Sequence, residues 1–390
     1  MFQFLSRVRK GTAKVGLLAA CLILTACQSG TGPSGPPLKA GAPIPVALLV
    51  PGGSSLESDN FIATSLENAA RMAIADLGGV QIDLRVYNTQ GSPAAAGAMA
   101  TKAVDDGAKI ILGPFYALEA NAAGLAVANR GVNVLSFSNN TDVAGGNVFL
   151  LGQTFDATAR RLAGFAVGKG LSRIMIVHDP DPVGQVGMAA IQRAVTGAGG
   201  SVSAVGTYEF SQNGIVQAVP GIVASAKSSG ANAIFLTAIS DASLPLLSQL
   251  LMENGLNPSS TQFIGLARWD IPAATLALPG VQGAWFALPD PTTNQIFQSR
   301  YQAAYGATPP IYAGFAYDGI AAIGAIAKQN AGAALDAASL TQSAGFAGVG
   351  GVFRLRSDGT ADRGLAVAQI QNGQVVIIDS APRNFGGVGF

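Results

Sequence analysis

The sequence predicts an α/β protein built as two doubly wound lobes, each around a parallel central sheet. Three observations carry that expectation. Short β-branched runs alternate with longer runs of helical spacing from Val46 to Thr141, the alternation restarts after Phe155 and continues to Ala267, and 390 residues suffice for two lobes with a core each. Neither set carries a dinucleotide or phosphate-loop fingerprint.

VALLV (Val46–Val50) is apolar throughout, as a strand covered on both faces must be, and Pro51-Gly52-Gly53 stops it. Phe61–Leu77 places Leu66, Ala70, Ala73 and Leu77 on one helical face, with Asp59 or Asn60 as its start. IDLRVY (Ile82–Tyr87) alternates as a strand, and Ala94–Val104 is the next helix. KIIL (Lys109–Leu112), LEANAAGLAVAN (Leu118–Asn129) and GVNVLSF (Gly131–Phe137) then form a βαβ unit. Gly113-Pro114-Phe115-Tyr116 follows its first strand and Ser138-Asn139-Asn140-Thr141 its second. Hydroxyls and amides therefore gather at the carboxyl edge of a parallel sheet, where open α/β sheets bind ligands.

The second set has helices at Ala157–Gly168, Val186–Thr196, Val216–Ala226 and Leu244–Glu253, between the strands RIMIV (Arg173–Val177), SVSAVGTY, AIFLTA (Ala233–Ala238) and FIGLA (Phe263–Ala267). GAWFALP (Gly283–Pro289) reads as a strand, and Asn294–Tyr305 and Gly314–Ala327 as helices. Two alternating strands close the chain, with Asp358-Gly359 as the hairpin turn between them. Only 12% of residues are charged, so these helices are defined by apolar spacing rather than by charge pattern.

The N-terminus supplies an address. Arg7, Arg9, Lys10 and Lys14 precede the apolar run Val15–Leu24, and Leu24-Thr25-Ala26-Cys27 ends it with small residues and a cysteine. LTAC resembles the bacterial lipobox, which implies a signal peptide of residues 1–26, cleavage before Cys27 and a lipid on its sulfur. Residues 27–44 then form a Gly/Pro/Ser-rich tether of at most roughly 55 Å, at about 3.3 Å per residue. By resemblance to enterobacterial lipoproteins, Gln28 favours the outer over the inner membrane. Cleavage removes Cys21 along with four basic and no acidic residues, taking the formal charge from +1 to about −3. The mature chain then has no free thiol for a disulfide, metal or nucleophile, and its charge argues against nucleic acid.

GPF before a small-residue helix, VLSFSNNT, RIMIVHDPDPVGQVG, PGVQGAWFALPD, FQSRYQAAYGATPP and AYDG resemble, in order, the type I periplasmic solute-binding proteins of the leucine/isoleucine/valine-binding kind. The resemblance covers Pro45 to about Asp379 and implies lobes joined by three chain crossings, near Phe155, Leu288 and Ser339. Lobe 1 would comprise residues 45–154 with 288–338, and lobe 2 residues 155–287 with 339–383.

The inventory for catalysis is thin. His178 is the sole histidine, and its neighbour Asp179 points to the opposite face of a strand, so the two form no dyad. No Walker loop, GxSxG elbow, HExxH or Cys/His cluster is present. The reading is a non-enzyme without metal or cofactor. A binding cleft asks only for polar groups and aromatic walls at facing strand ends. Tyr116, Ser136, Ser138, Asn139 and Asn140, with Ser54 and Ser55, are the first-lobe candidates; Asp181, Ser240, Asp241, Arg268, Trp269 and Asp270 are those of the second. Loop capping is the alternative role for each Ser, Asn and Asp.

Compared with the amino acid binding pattern, Val183 and Ser240 stand where tyrosines are expected, and Ala267 where a carboxylate meets the ligand's ammonium. A zwitterion without that carboxylate would leave its ammonium unpaired on desolvation unless Asp241 or Asp270 substitutes for it. The address and the altered site resemble the outer-membrane lipoproteins that activate penicillin-binding proteins, the peptidoglycan synthases. That resemblance implies a non-catalytic envelope lipoprotein whose partner is a synthase. The alternative is the solute-binding component of an ABC importer for amino acids or another small polar solute, whose partner is a permease. LTAC with Gln28 implies a lipidated, membrane-bound product: Cys27→Ser is expected to move the protein from the membrane to the soluble fraction, and a variant that still sediments with membranes would overturn the lipobox.

Overall fold

The computed structural model describes residues 35, 36, 38, 39, 41–329 and 334–386. The signal peptide, Cys27 and most of the tether lie outside the described residues. No described helix is long and apolar enough to cross a membrane.

The first lobe runs β1 (Ile44–Val50), α1 (Glu57–Asp76), β2 (Ile82–Asn88), α2 (Pro93–Asp105), β3 (Ile110–Leu112), α3 (Ala117–Val127), β4 (Val134–Ser136) and β5 (Val148–Leu150). Its sheet has the order β2-β1-β3-β4-β5, every neighbouring pair parallel. Alternate residues of β1 serve opposite layers. Val46 and Leu48 pack beneath Leu66 and Ala70 of α1, while Ala47 and Leu49 face Ala100 of α2 and Ala123 of α3. Small residues let the helices sit close: a Cβ added to Gly124 would fall 2.3 Å from Val148.

The second lobe runs α4 (Phe155–Gly168), β6 (Arg173–His178), α5 (Pro182–Gly197), β7 (Ser201–Thr207), α6 (Gln212–Ser228), β8 (Ala233–Leu236), α7 (Ser243–Glu253), β9 (Gln262–Gly265) and β10 (Trp285–Pro289). Its parallel strands follow the order β10-β9-β8-β6-β7, the same winding as the first lobe. α6 and α7 cover one face, and α4 and α5 the other. In each lobe the strand order reverses beside the first strand, which opens a crevice at the carboxyl edge.

The chain then returns to lobe 1 with α8 (Pro291–Tyr305) and α9 (Ala313–Gln329), whose Phe297, Ile320 and Ile323 join the core under α1. After the one-turn helix α10 (Ala337–Leu340) come β11 (Phe346–Gly348), β12 (Gly351–Leu355) and β13 (Ala361–Arg363), followed by β14 (Leu365–Gln371) and β15 (Gln374–Asp379).

Here the organisation departs from the expected boundaries. β10 pairs with β9 and β14, so lobe 2 keeps Leu288 and Pro289 and the second crossing follows directly, near the expected Leu288. The third falls near Gly364, not Ser339. β11, β12 and β13 form their own antiparallel sheet, and Phe346, Phe353, Leu355 and Ala361 are buried in the lobe 1 core. Asp358-Gly359 turns β12 into β13 within that small sheet. The hairpin that completes lobe 2 is β14–β15, turned by Asn372-Gly373, both at positive φ (52° and 72°) as a two-residue hairpin turn requires. Several helices begin earlier than their apolar spacing indicated: Ser92, Asp181 and Ser211 cap α2, α5 and α6 by accepting from backbone amides, whereas α1 starts at Glu57 after Leu56, with no side-chain cap, and not at Asp59 or Asn60.

The packing of the small sheet is testable. Phe353→Ala should destabilise lobe 1 by about 3–5 kcal/mol in urea denaturation, the cost of emptying a buried aromatic site. A loss below about 1 kcal/mol would separate the sheet from that core.

Candidate ligand-binding cleft

On the first-lobe side, Gly113 ends β3 at φ +89°, where a Cβ would meet the Leu49 carbonyl oxygen at 2.1 Å, so only glycine lets the chain turn there. Phe115 and Tyr116 follow, and Phe115 stacks edge-on against Tyr116 and Tyr312, with ring centroids 5.2 and 5.1 Å apart. The Tyr116 hydroxyl donates to buried Asp59 at 2.6 Å. Burial, with that bond and the Asp59 charge, pushes the phenol up to about 12, so Tyr116 presents a neutral ring.

The loop after β4 is tied by its own hydroxyls. Ser136 donates to the Pro114 carbonyl at 2.9 Å and accepts from the Ser138 amide, and Ser138 in turn accepts from the Asn140 amide. Ser136 is fully buried in that role. The Ser54 hydroxyl accepts from the Leu56 amide, and the Asn60 amide group bonds the Ser54 carbonyl, so that loop is held by turn chemistry.

On the second-lobe side, Asp179 is buried and accepts from the hydroxyls of Tyr208 (2.5 Å), Ser243 (2.9 Å) and Thr237 (3.1 Å), which ties the ends of β6, β7 and β8 together. Burial and the Asp179 carboxylate push the Tyr208 phenol well up. His178 Nδ1 lies 2.8 Å from the Asp179 carbonyl oxygen, a strand-end contact. Asp181 caps α5 through the Gly184 amide at 2.6 Å. Ser240 donates to the Arg268 carbonyl at 2.9 Å. Arg268 forms a two-pronged pair with Asp270, at 2.6 and 2.5 Å. Trp269 is fully buried, its indole so close over Gly265 that a Cβ there would lie 2.3 Å away.

A cavity of about 430 Å³ lies between these edges. Of the residues singled out in the sequence, Tyr116, Ser138, Asn139, Asn140 and Arg268 line it, as does Ala267. Ser136, Asp241, Trp269 and Asp270 do not. Ser136 and Trp269 are packed inside, Asp270 is spent on Arg268, and Asp241 is exposed outside the cavity. Val183 is likewise exposed and outside it. The lining also includes Phe115, Phe137, Phe155, Tyr312 and Phe315, with Gln153 bonded to Thr158 at 3.0 Å. Phe115 and Phe137 directly adjoin the strand ends, a signal the sequence carried. Tyr312 and Phe315 reach the cleft from the start of α9, which only the fold reveals.

The family model for periplasmic binding proteins matches residues 43–374. This chain belongs to the periplasmic binding protein family. Solved structures agree on the fold. A protein assigned to a branched-chain amino acid ABC transporter of Rhodospirillum rubrum superposes with a TM-score of 0.72 at 18% identity, over 86% of this chain and 100% of that one. An ABC transporter substrate-binding protein of Desulfitobacterium hafniense in complex with Leu gives 0.62 at 18% identity, over 86% and 100%. An ABC transporter solute-binding protein of Rhodopseudomonas palustris BisB5 in complex with 3,4-dihydroxybenzoic acid gives 0.56 at 17% identity, over 87% and 98%. No curated protein matches the chain.

Within this periplasmic binding protein the acids nearest the first-lobe wall lie behind it. Glu119 is buried under Tyr116 and accepts its backbone amide at 3.5 Å. Burial holds its carboxyl above the ordinary value of 4.5, against the pull of the Thr89 hydroxyl and the Tyr116 amide, and the Asp59 charge adds to the rise. A carboxyl raised in the fold contributes its stability fully below the unfolded value and loses it as pH rises through the folded one. Glu119→Gln should therefore gain stability relative to the native chain as pH climbs from about 4 to about 8, followed by urea denaturation at each pH. A difference that stays flat would remove Glu119 from the account.

Proposed function

We propose that this chain is the solute-capturing component of an ABC importer, and that its solute is an aromatic or similarly apolar carboxylate rather than a zwitterionic amino acid. The observation that carries the reading is the lining of the cavity: aromatic rings and one guanidinium, that of Arg268, with no aspartate or glutamate among the described lining residues. An ammonium group buried there would have no lining carboxylate to meet, whereas an anion would meet Arg268, whose Nε and Nη2 hold Asp270 but which has a further donor nitrogen, and the amides of Asn139 and Asn140. Ala267, where the amino acid binding pattern has its acid, contributes only a methyl group.

The solved relatives support the importer over the penicillin-binding protein activator reading, since they are ABC transporter binding proteins, one with Leu and one with a dihydroxybenzoic acid bound. A carboxylate-binding cleft accounts for the altered amino acid site without an activator role. The family's solute-binding character supports a binding role for the residues above. In this reading the body works in the periplasm on a lipid at Cys27. Its permease partner makes the inner membrane the fitting anchor, against the outer-membrane address drawn from Gln28.

Titration calorimetry on the lipid-free body tests the solute class. Benzoate or 3,4-dihydroxybenzoate should bind with micromolar Kd, about −8 kcal/mol, and leucine, isoleucine and valine no tighter than millimolar, about −4 kcal/mol. Arg268→Gln paired with Asp270→Asn, which keeps the local charge balanced, should weaken the aromatic acids at least about tenfold. Micromolar binding of any of the three amino acids would overturn the proposed class.

A further inference from the structure

Beside the cleft lies a second compartment of about 120 Å³, and Gln153, Arg268, Ile311 and Phe315 line both spaces. These four residues are shared between an outer, ring-walled chamber and an inner one that reaches the chain crossings. The inner lining differs in chemistry. It carries two guanidinium groups, Arg268 and Arg363, one carboxylate, Asp318, and the amides of Asn294 and Gln298.

Asp318 is committed, accepting from Arg363 Nη1 and from the Val349 amide, each at 2.8 Å. Arg363 is not fully committed. Its side chain is 8% exposed, it donates through Nη2 to the Leu151 carbonyl, and its Nε has no hydrogen-bond partner among the described residues. That nitrogen is itself buried, so Arg363 meets the compartment as one of its lining residues and not through Nε. Rings hold the group in place, with Phe315 and Phe353 centroids 4.9 and 5.2 Å from its central carbon.

Resting on the carboxylate reading above, we propose that the solute enters carboxylate first: its anionic end occupies the inner compartment between Arg268 and Arg363, and its apolar body fills the outer chamber against Tyr116 and Tyr312. Arg268 then acts from lobe 2 and Arg363 from the third crossing, so the carboxylate bonds groups that lobe closure brings together. A solute stabilises closure only through contacts made better in the closed state, and this placement supplies them. Arg363 becomes a determinant of specificity that no strand-end argument would locate.

The native protein crystallised with 4-bromobenzoate tests the orientation, because anomalous scattering locates the bromine. Bromine beside Tyr116 and Tyr312 is the expected result. Bromine beside Arg363 and Asp318, with the carboxylate at Ser138–Asn140, would overturn the proposal and leave the solute class standing. Calorimetry gives an independent reading. Asn294→Trp, on α8 at the edge of the inner compartment, should fill it and weaken benzoate at least about 30-fold. An affinity within about threefold of the native value in a folded variant would again overturn the orientation. If the native protein binds neither benzoate nor 4-bromobenzoate, the carboxylate reading fails and this proposal fails with it.

Discussion

The buried pair between Arg363 and Asp318 sets the geometry on which both lobes depend. Arg363 ends β13 at the third crossing, donates to the Leu151 carbonyl at the first, and is charge-paired to Asp318 on α9, whose carboxylate also takes the Val349 amide. Burial pushes the Asp318 carboxyl up while the guanidinium pulls it down. Removing either partner would strand a desolvated charge, a defect worth about 3–5 kcal/mol. The next residue back, Asp362, extends the same junction: it accepts from Arg160 of α4 at 2.6 Å and from Arg354 of β12 at 2.9 Å. Burial would raise its carboxyl, but the three arginines Arg354, Arg160 and Arg356 hold it below the ordinary range. Two consecutive residues thus join the second lobe to the first at the place where any lobe motion must pivot.

That junction also explains the small antiparallel sheet. Arg363 can reach Asp318 only if β13 stays on the lobe 1 side, and Phe353 and Leu355 of β12 keep it there by filling the core under α9. Gly348, whose added Cβ would lie 2.4 Å from Asp318, leaves room for the carboxylate. The inner compartment is the space left beside this construction, and its chemistry is therefore that of the hinge rather than that of the strand ends.

The strand ends do a different job. Asp179 gathers three hydroxyls, Ser136 and Ser138 tie two loops, and Asp181 starts a helix, so many of the polar side chains at the carboxyl edges are spent on holding the edge itself. What remains lining the cavity is rings, a few amides and Arg268. Residue type at a strand end could not separate these roles, since serine, asparagine and aspartate serve turns and ligands with the same atoms.

Local pattern determined the lobes, the parallel sheets, the order of the main strands and helices, and the edge at which the cleft opens. Each follows from spacing along the chain, because a buried strand must be apolar throughout and a covered helix must be apolar on one stripe. The position of Ala267 and the cleft-lining Tyr116, Ser138, Asn139 and Asn140 were legible for the same reason, lying directly after strands. Tertiary structure alone decided the rest. Trp269 turned inward because Gly265 leaves space beneath its ring, Asp270 was consumed by Arg268, and residues 346–363 stayed with lobe 1 because their aromatic side chains complete its core. Arg363 lies some two hundred residues from the Leu151 carbonyl it holds, and no spacing rule reaches that far: pairing of distant buried charges is set by which surfaces pack together, not by periodicity.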